Sequence, residues 1–343
     1  MVNNEKKEAY ILKGTIALCF VILTAFCFVL FWPQKNLHDS AQLKIRSGIP
    51  LAKLAQQMKN DNLISNENTF IWTVQLLGKS RIIPAGNFTL SSASNNYIII
   101  SQLINESPEL KKITFLEGWS TNQFINHIAN TLGFEKKEIR SLTDNIDLLK
   151  KYNINYNSIE GYMYPDTYFI SSGATPKNIL RLLLDQGQKF WTKTREERAD
   201  SLGFTKHQII TLASIIEGEA IYDNERPIIS GVYHNRLKIN MKLQADPTIQ
   251  YIINDGPRRL LNRDLKIKSQ YNTYLYQGLP PGPINSPGEK SLLAALYPQQ
   301  NDYLFFVAKG DGYHTFTKTE KEHMREKKKF QKIRKALKRN RKQ

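Results

Sequence analysis

The longest apolar block comes first. Gly14 to Trp32 reads GTIALCFVILTAFCFVLFW, 19 residues without a charge. At 1.5 Å per residue it spans roughly 28 Å, close to the hydrocarbon thickness of a bilayer. A secretory signal has a shorter apolar region and a small-residue cleavage site, whereas this block runs on into Phe31-Trp32-Pro33-Gln34-Lys35. The pattern predicts an uncleaved transmembrane helix over 14–32 rather than the buried helix of a soluble protein. Lys6, Lys7 and Lys13 precede it, while Lys35 alone lies between it and Lys44. That bias puts residues 1–13 in the cytoplasm and the remainder outside.

After a polar linker over 33–42, residues 43–107 read as a small unit. Leu43-Lys44-Ile45 alternates like a strand, and Pro50 to Met58 has helical spacing at Leu51, Leu54 and Met58. Asn66 to Leu77 reads as a second helix, with Phe70, Trp72, Val74 and Leu76 on an apolar side. Pro84 to Leu90 returns as turn and strand, and Asn96 to Ile104 is again helical. The order strand, helix, helix, strand resembles a LysM-like glycan-binding module; a plain spacer unit gives the same order.

A composition shift at Pro108-Glu109-Leu110-Lys111-Lys112 opens a larger region, 108–320. Ile113-Thr114-Phe115 is strand-like, and Ser120 with Gln123 has capping-box spacing for a helix through Leu132. Helices and short strands then alternate, which predicts an α+β chain: one transmembrane helix, a small βααβ unit and a larger mixed α/β domain. A basic tail occupies 321–343.

The apolar run TKHQIITLASIIEGEA, Thr205 to Ala220, carries the main candidate for chemistry. Thr205 and Gln208 again have capping-box spacing. Ile210, Ala213 and Glu217 fall at i, i+3 and i+7, so the Glu217 carboxyl shares a face with core-type residues. Lost solvation and the negative end of the helix dipole both disfavour its ionised form, as a general acid requires. Glu219 lies about 200° around the helix, so both carboxyls do not enter one site. On this spacing Glu219 is read as capping, pairing with a nearby Arg, or facing solvent.

Further segments surround this candidate. Asn224 to Lys238 is helical with Pro227 in its first turn, and Asn235 lies near its end. In Leu243-Gln244-Ala245-Asp246-Pro247-Thr248, Asp246 reads as an N-cap and Pro247 as the first helical residue. Glu160 to Tyr168, EGYMYPDTY, sets aromatics beside hydrogen-bonding groups, which suits sugar rings and equally a strand at a core edge. Gly278 to Gly288, GLPPGPINSPG, is a rigid loop that either walls a cleft or turns the chain. Gly310-Asp311-Gly312 reads as a hairpin turn before Tyr313.

Composition narrows the chemistry. Cys19 and Cys27 both lie in the apolar block, so the rest has neither disulfide nor thiol nucleophile. The net charge is +17, and Lys327 to Lys342 alone holds ten Lys or Arg with no acid. An external location removes nucleic acid as a ligand; the tail suits anionic lipid, an anionic wall polymer, or simply a solvated helix end. The six histidines show no metal-ligand spacing, and neither a G-x-S-x-G nor a Walker A sequence occurs.

Together these segments resemble the YceG-like family. The matching text is LEGWSTNQF at 116–124, EGYMYPDTY at 160–168, ASIIEGEA at 213–220, ERPIISGVYHNRL at 225–237, MKLQADPTIQY at 241–251 and YNTYLYQGLPPGPINSPG at 271–288. The resemblance implies an inner-membrane enzyme that cuts peptidoglycan between N-acetylmuramic acid and N-acetylglucosamine and leaves a 1,6-anhydro end. It implies no cofactor and no metal, and it implies action on nascent strands beside peptidoglycan synthases, the penicillin-binding proteins. It puts the catalytic glutamate on Glu217, with Gln244 and Asp246 lining the site and Glu160, Tyr162 and Asn235 as further contacts. Gln270 stands where the family often has proline, and Asn285-Ser286 where a small residue and Asn are usual; both departures bear on loop geometry. Two other classes remain distinguishable. A non-catalytic wall-binding scaffold would keep its function without Glu217, and a pyridoxal-phosphate lyase would be coloured when pure.

Overall fold

The computed structural model describes residues 2–31, 41–80, 82–90, 95–105, 110–154, 156, 158–253 and 255–340. Most of the expected 33–42 linker, Trp32, Pro108-Glu109 and the end of the basic tail lie outside the described residues. The chain is a mixed α/β protein that divides into two compact units. One holds residues 1–113 and 168–175; the other holds 114–167 and 176–343.

The first unit begins with α1 (Val2–Leu30). Its segment Leu12–Leu30 has a mean hydropathy of 2.2 and is long and apolar enough to cross a membrane. There follow β1 (Ala41–Ile45), α2 (Leu51–Asn60), α3 (Glu67–Leu76), β2 (Gly86–Leu90), α4 (Asn96–Asn105) and β3 (Leu110–Thr114), with β4 (Thr167–Ser171) joining later in the chain. β1 and β2 are antiparallel with Leu43 opposite Phe88, and β3 pairs with β4. Strand periodicity sends Leu43 and Ile45 inward and Gln42 and Lys44 outward. They meet Leu54 and Met58 of α2, Phe70 and Val74 of α3, and Ile99 and Leu103 of α4 in one core.

The expected apolar side of α3 is corrected here. Phe70 and Val74, four residues apart, are fully buried, whereas Trp72 and Leu76 are 52% and 51% exposed. Residues two apart on a helix diverge by about 200°, so the four side chains cannot share one face.

The second unit holds α5 (Thr121–Leu132), α6 (Lys136–Thr143), α7 (Ile146–Lys151), α8 (Pro176–Phe190), α9 (Lys193–Ser201) and α10 (Lys206–Glu219). These are followed by α11 (Arg226–Lys238), α12 (Asp246–Ile252), α13 (Glu289–Leu296), the antiparallel hairpin β5 (Phe305–Ala308) and β6 (His314–Thr317), and α14 (Glu320–Asn340). Both capping signals form. The Ser120 N–H donates to Gln123 Oε1 at 2.8 Å, and Thr205 and Gln208 bond reciprocally at 2.8 and 3.2 Å. Residues Thr211 to Ile216 of α10 are buried on every side. A helix apolar all round belongs in a core, and α10 runs through the centre of this one, against α11, α12 and α13. Gly310 and Gly312 do turn the β5–β6 hairpin, with φ of 102° and 92°.

Candidate active site

The loop 278–288 is fastened along the last turns of α10. Ser214, fully buried, accepts the Ile284 N–H on its Oγ at 3.1 Å and the Asn285 amide on its carbonyl at 2.9 Å. On the other side α12 seats directly on Gly218: a Cβ there would stand 2.6 Å from Pro247 Cβ. Glycine between the two glutamates thus lets α12 approach the helix end. The 160s join the same structure through Gly161 (φ 83°), whose missing Cβ is replaced by Pro283.

These contacts turn Glu217 and Glu219 into two different environments. The Glu217 side chain is 7% exposed and packs behind Gly118 and Gly288. Its Oε1 lies 3.1 Å from Arg226 Nη1, and its Oε2 accepts the Gly288 N–H at 3.0 Å. Arg226 is equally buried and also donates to Ser291 Oγ at 2.5 Å and to Asp223 Oδ1 at 3.2 Å, while Lys290 pairs with Asp223. Beside this group, burial and then the Glu217 charge push the Glu117 carboxyl up. Glu217 is thus buried beside core residues, as expected, and a guanidinium and a backbone N–H that the spacing does not show accompany it. Charges flanking α10 reach it from a helix that local spacing does not connect to it.

Glu219 faces the other way. It lines an open cleft of about 1070 Å³, together with Ser120, Glu160, Asp246, Gln250 and Asn285. Its side chain is half-buried and accepts the Tyr233 O–H at 2.9 Å. Burial is the main reason it is pushed up to about 7, and the Asp246 charge adds to this against the Tyr233 bond and Arg236. Arg236 is itself engaged by the Leu304 and Leu243 carbonyls at 2.6 and 2.5 Å. The expectation that Glu219 caps the helix, pairs with an Arg or faces open solvent is corrected: a buried tyrosine positions it at the wall of a cleft.

Asp246 is also corrected in detail. It is the first residue of α12, with Ala245 in the cap position, and its side chain makes no cap bond. Instead Oδ1 accepts the Tyr274 O–H at 2.5 Å, which draws the carboxylate away from the helix N–H groups. Glu160 completes the acidic lining. Its Oε1 accepts the Thr121 N–H at the start of α5, at 2.9 Å, and burial pushes it up to about 7.

The structure thus brings Glu160 and Asp246 together with Glu219, and leaves other expected site residues outside that cleft. Gln244 is exposed on the preceding turn, at φ 47°, with its N–H on the Thr273 carbonyl at 3.1 Å. Asn235 ties α11 to the Asn301 and Tyr303 carbonyls at 2.8 and 3.0 Å. The Tyr162 O–H lies 2.7 Å from His207 Nδ1, in a separate aromatic cavity of about 260 Å³ with Tyr156 and Trp191. Sequence reasoning did not connect Glu219, or the tyrosines Tyr233 and Tyr274 that bond Glu219 and Asp246, to this cleft. A signal for the first was present: Leu212, Ile215 and Glu219 have the same i, i+3, i+7 spacing that favours Glu217. Among the described residues no group of histidines, cysteines and carboxylates is arranged to hold a metal ion.

A central buried helix ending in two acids, one of them at an open polar cleft, defines a mixed α/β protein with an acid-bearing site. The chain belongs to the YceG-like family, whose model matches residues 43–329. It is 33% identical over 313 residues to the endolytic murein transglycosylase of Bacillus subtilis (strain 168), covering 87% of this chain and 86% of that protein. The endolytic murein transglycosylase of Streptococcus pneumoniae (strain R6) is 26% identical over 264 residues, 66% of this chain and 46% of that longer relative. The crystal structure of a yceG-like protein from Listeria monocytogenes superposes with a TM-score of 0.59 at 28% identity, over 84% of this chain and 98% of that one.

Proposed function

We propose that this chain is an endolytic murein transglycosylase, a lyase that cleaves the bond between N-acetylmuramic acid and N-acetylglucosamine in peptidoglycan strands. Family membership and the names of the relatives support the activity. The observation that carries the mechanism is the Glu219 carboxyl, pushed to about 7 at the wall of the acidic cleft. An acid tuned there is protonated in a useful fraction at neutral pH and is a competent base once ionised.

Glu219 protonates the glycosidic oxygen as the C1–O bond breaks through an oxocarbenium-like state. The resulting carboxylate removes the proton from the C6 hydroxyl of the same muramic acid, whose oxygen bonds to C1. The products are a free hydroxyl on the leaving sugar and a 1,6-anhydro ring, and Glu219 ends protonated as it began. The nucleophile is tethered, so intramolecular attack replaces the second carboxylate of ordinary glycosidases. Asp246, held by Tyr274, faces the developing positive charge from the same cleft. Glu160 orients sugar hydroxyls. Glu217 is a positioning residue that ties the end of α10 to Arg226 and Gly288.

The same reading assigns α1 as a single membrane anchor in the cytoplasmic membrane, with residues 1–13 inside and the catalytic unit outside. Leu12–Leu30 and the Lys6, Lys7, Lys13 bias support it. The βααβ unit over 43–107, with its antiparallel β1–β2 pair, is proposed as a LysM-like glycan holder. Residues 108–320 then form the catalytic region, which ends nascent strands beside peptidoglycan synthases.

Purified full-length chain, incubated with isolated sacculi, tests this by mass spectrometry of the strand ends. Anhydro ends should appear with wild type and with a folded Glu217→Gln variant, and should vanish with Glu219→Gln. Ordinary reducing ends, or wild-type turnover by Glu219→Gln, would overturn the mechanism.

A further inference from the structure

We infer that the exposed aromatic face of α3 and α4 beside the end of α1, built from Trp72, Leu76 and Tyr97, lies in the headgroup layer of the bilayer and seats the small unit on the lipid. The inference rests on the proposed membrane anchoring of α1. The last turn of α1 is not free: Leu30 is buried, and the Val29 carbonyl accepts the Thr73 hydroxyl of α3 at 3.0 Å. Phe31 and Tyr97 have ring centroids 6.2 Å apart. Val29, Trp72, Gln75 and Leu76 border one shallow groove of about 350 Å³.

Distances along the span place this face in depth. The apolar segment Leu12–Leu30 has 19 residues, so its full length is needed to cross about 30 Å of hydrocarbon, with Lys13 at its inner edge extending its ammonium to the cytoplasmic headgroups. Val29 therefore stands within about 2 Å of the hydrocarbon boundary, at 1.5 Å per residue. The headgroup layer beyond it is roughly 5–8 Å thick. Side chains touching Val29 and Phe31 fall inside that layer. The chemistry agrees with the depth. Trp72, Leu76 and Tyr97 are 52%, 51% and 44% exposed, and Trp and Tyr are the side chains that favour this layer. No Lys, Arg, Asp or Glu occurs in Asn96–Asn105, and within α3 only Glu67, at its far end, is charged.

The test uses full-length chain carrying Trp32→Phe, reconstituted in phosphatidylcholine vesicles, with and without Trp72→Phe; circular dichroism confirms that both fold. The difference in emission between the two reports Trp72. Lipids brominated near the glycerol end of the acyl chain should quench that difference at least twofold, and more than lipids brominated near mid-chain. Vesicle flotation is measured on the same samples. Chain that floats while Trp72 is untouched by either lipid overturns the interfacial face and leaves the anchor standing. Chain that does not float overturns both. Trp72 shielded from aqueous acrylamide but unquenched by bromolipid, in proportion to protein density, assigns the face to a second copy and likewise overturns the inference.

Discussion

Glu217 and Glu219 are two residues apart on one helix, yet their surroundings differ as much as those of two separate sites. Around Glu217 the protein supplies compensating groups: a buried guanidinium, a backbone N–H, and beyond them Asp223 and Lys290. Around Glu219 it supplies a tyrosine hydroxyl and the Asp246 backbone N–H, the Asp246 charge set against that of Arg236, and a cleft. A fully partnered carboxylate holds elements together; a carboxyl that burial disfavours as an ion, but that reaches a cavity, is available to give and take a proton. The lesson is that what surrounds each acid, more than its helix position, separates structure from chemistry.

The sharpest way to break this comparison is to neutralise each acid in turn. Glu219→Gln should lower the rate of anhydro-end release by about 10²–10⁴-fold, the range for loss of a general acid–base group, with unfolding little changed at pH 4. Glu217→Gln should leave a measurable rate. A reversed pattern would exchange the two roles. Next in size is the partner of Glu217. Arg226→Met should cost about 3–5 kcal/mol in denaturant unfolding, because it strands a buried carboxylate. The double variant Arg226→Met, Glu217→Gln should recover a large part of that loss. Equal loss in the single and double variants would mean that packing, not charge, is what Arg226 supplies.

Much of the fold was readable from pattern. Leu43 and Ile45 alternate, Ser120–Gln123 and Thr205–Gln208 cap their helices, and Gly310–Gly312 makes its turn, because each depends on neighbours within a few residues. The site was readable only in part. Glu160 and Asp246, expected at the site, line the cleft with Glu219, and the loop 278–288 walls it through Asn285. The different surroundings of the two acids were not readable. Residues 211–216 are buried all round, so both glutamates have apolar companions at i−4 and i−7 and periodicity has nothing to discriminate. What decides is Arg226, Gly288, Tyr233 and Pro247, all distant along the chain or on the next helix. The same limit misled α3, where Trp72 and Leu76 pattern as core and lie on the surface.

The two environments also differ in how stability follows pH. The folded-state value of Glu219, about 7, stands above its ordinary 4.5, so the folded chain holds more protons between those limits. Its contribution therefore makes stability fall as pH rises from about 4.5 to 7, and the full cost persists above 7. Glu219→Gln removes that cost: it should be more stable than wild type at pH 8, by at most about 3 kcal/mol, and no more stable at pH 4. Urea unfolding at the two pH values measures this. A gain independent of pH would show that the cleft does not hold Glu219 protonated. Wild-type activity should fall on the alkaline side of about 7, as the acid form disappears.

The smallest expected effect probes whether Asp246 acts in the cleft or merely starts a helix. Tyr274 donates to it at 2.5 Å, and burial, then the Asp246 bond, pushes the Tyr274 phenol up, so the donor stays protonated throughout the working range. Removing that O–H in Tyr274→Phe leaves an exposed carboxylate that water can solvate, so unfolding should change by no more than about 0.5 kcal/mol, as for a surface substitution. The orientation of the carboxylate is what is lost. If Asp246 faces charge that develops at C1, kcat should fall about fivefold, roughly 1 kcal/mol, with KM little moved, since the bond then matters in the transition state and not in the bound substrate. A KM increase with kcat unchanged would make Asp246 a simple sugar contact. A drop in melting temperature with kinetics intact would return it to the structural role that its place beside Pro247 first suggested.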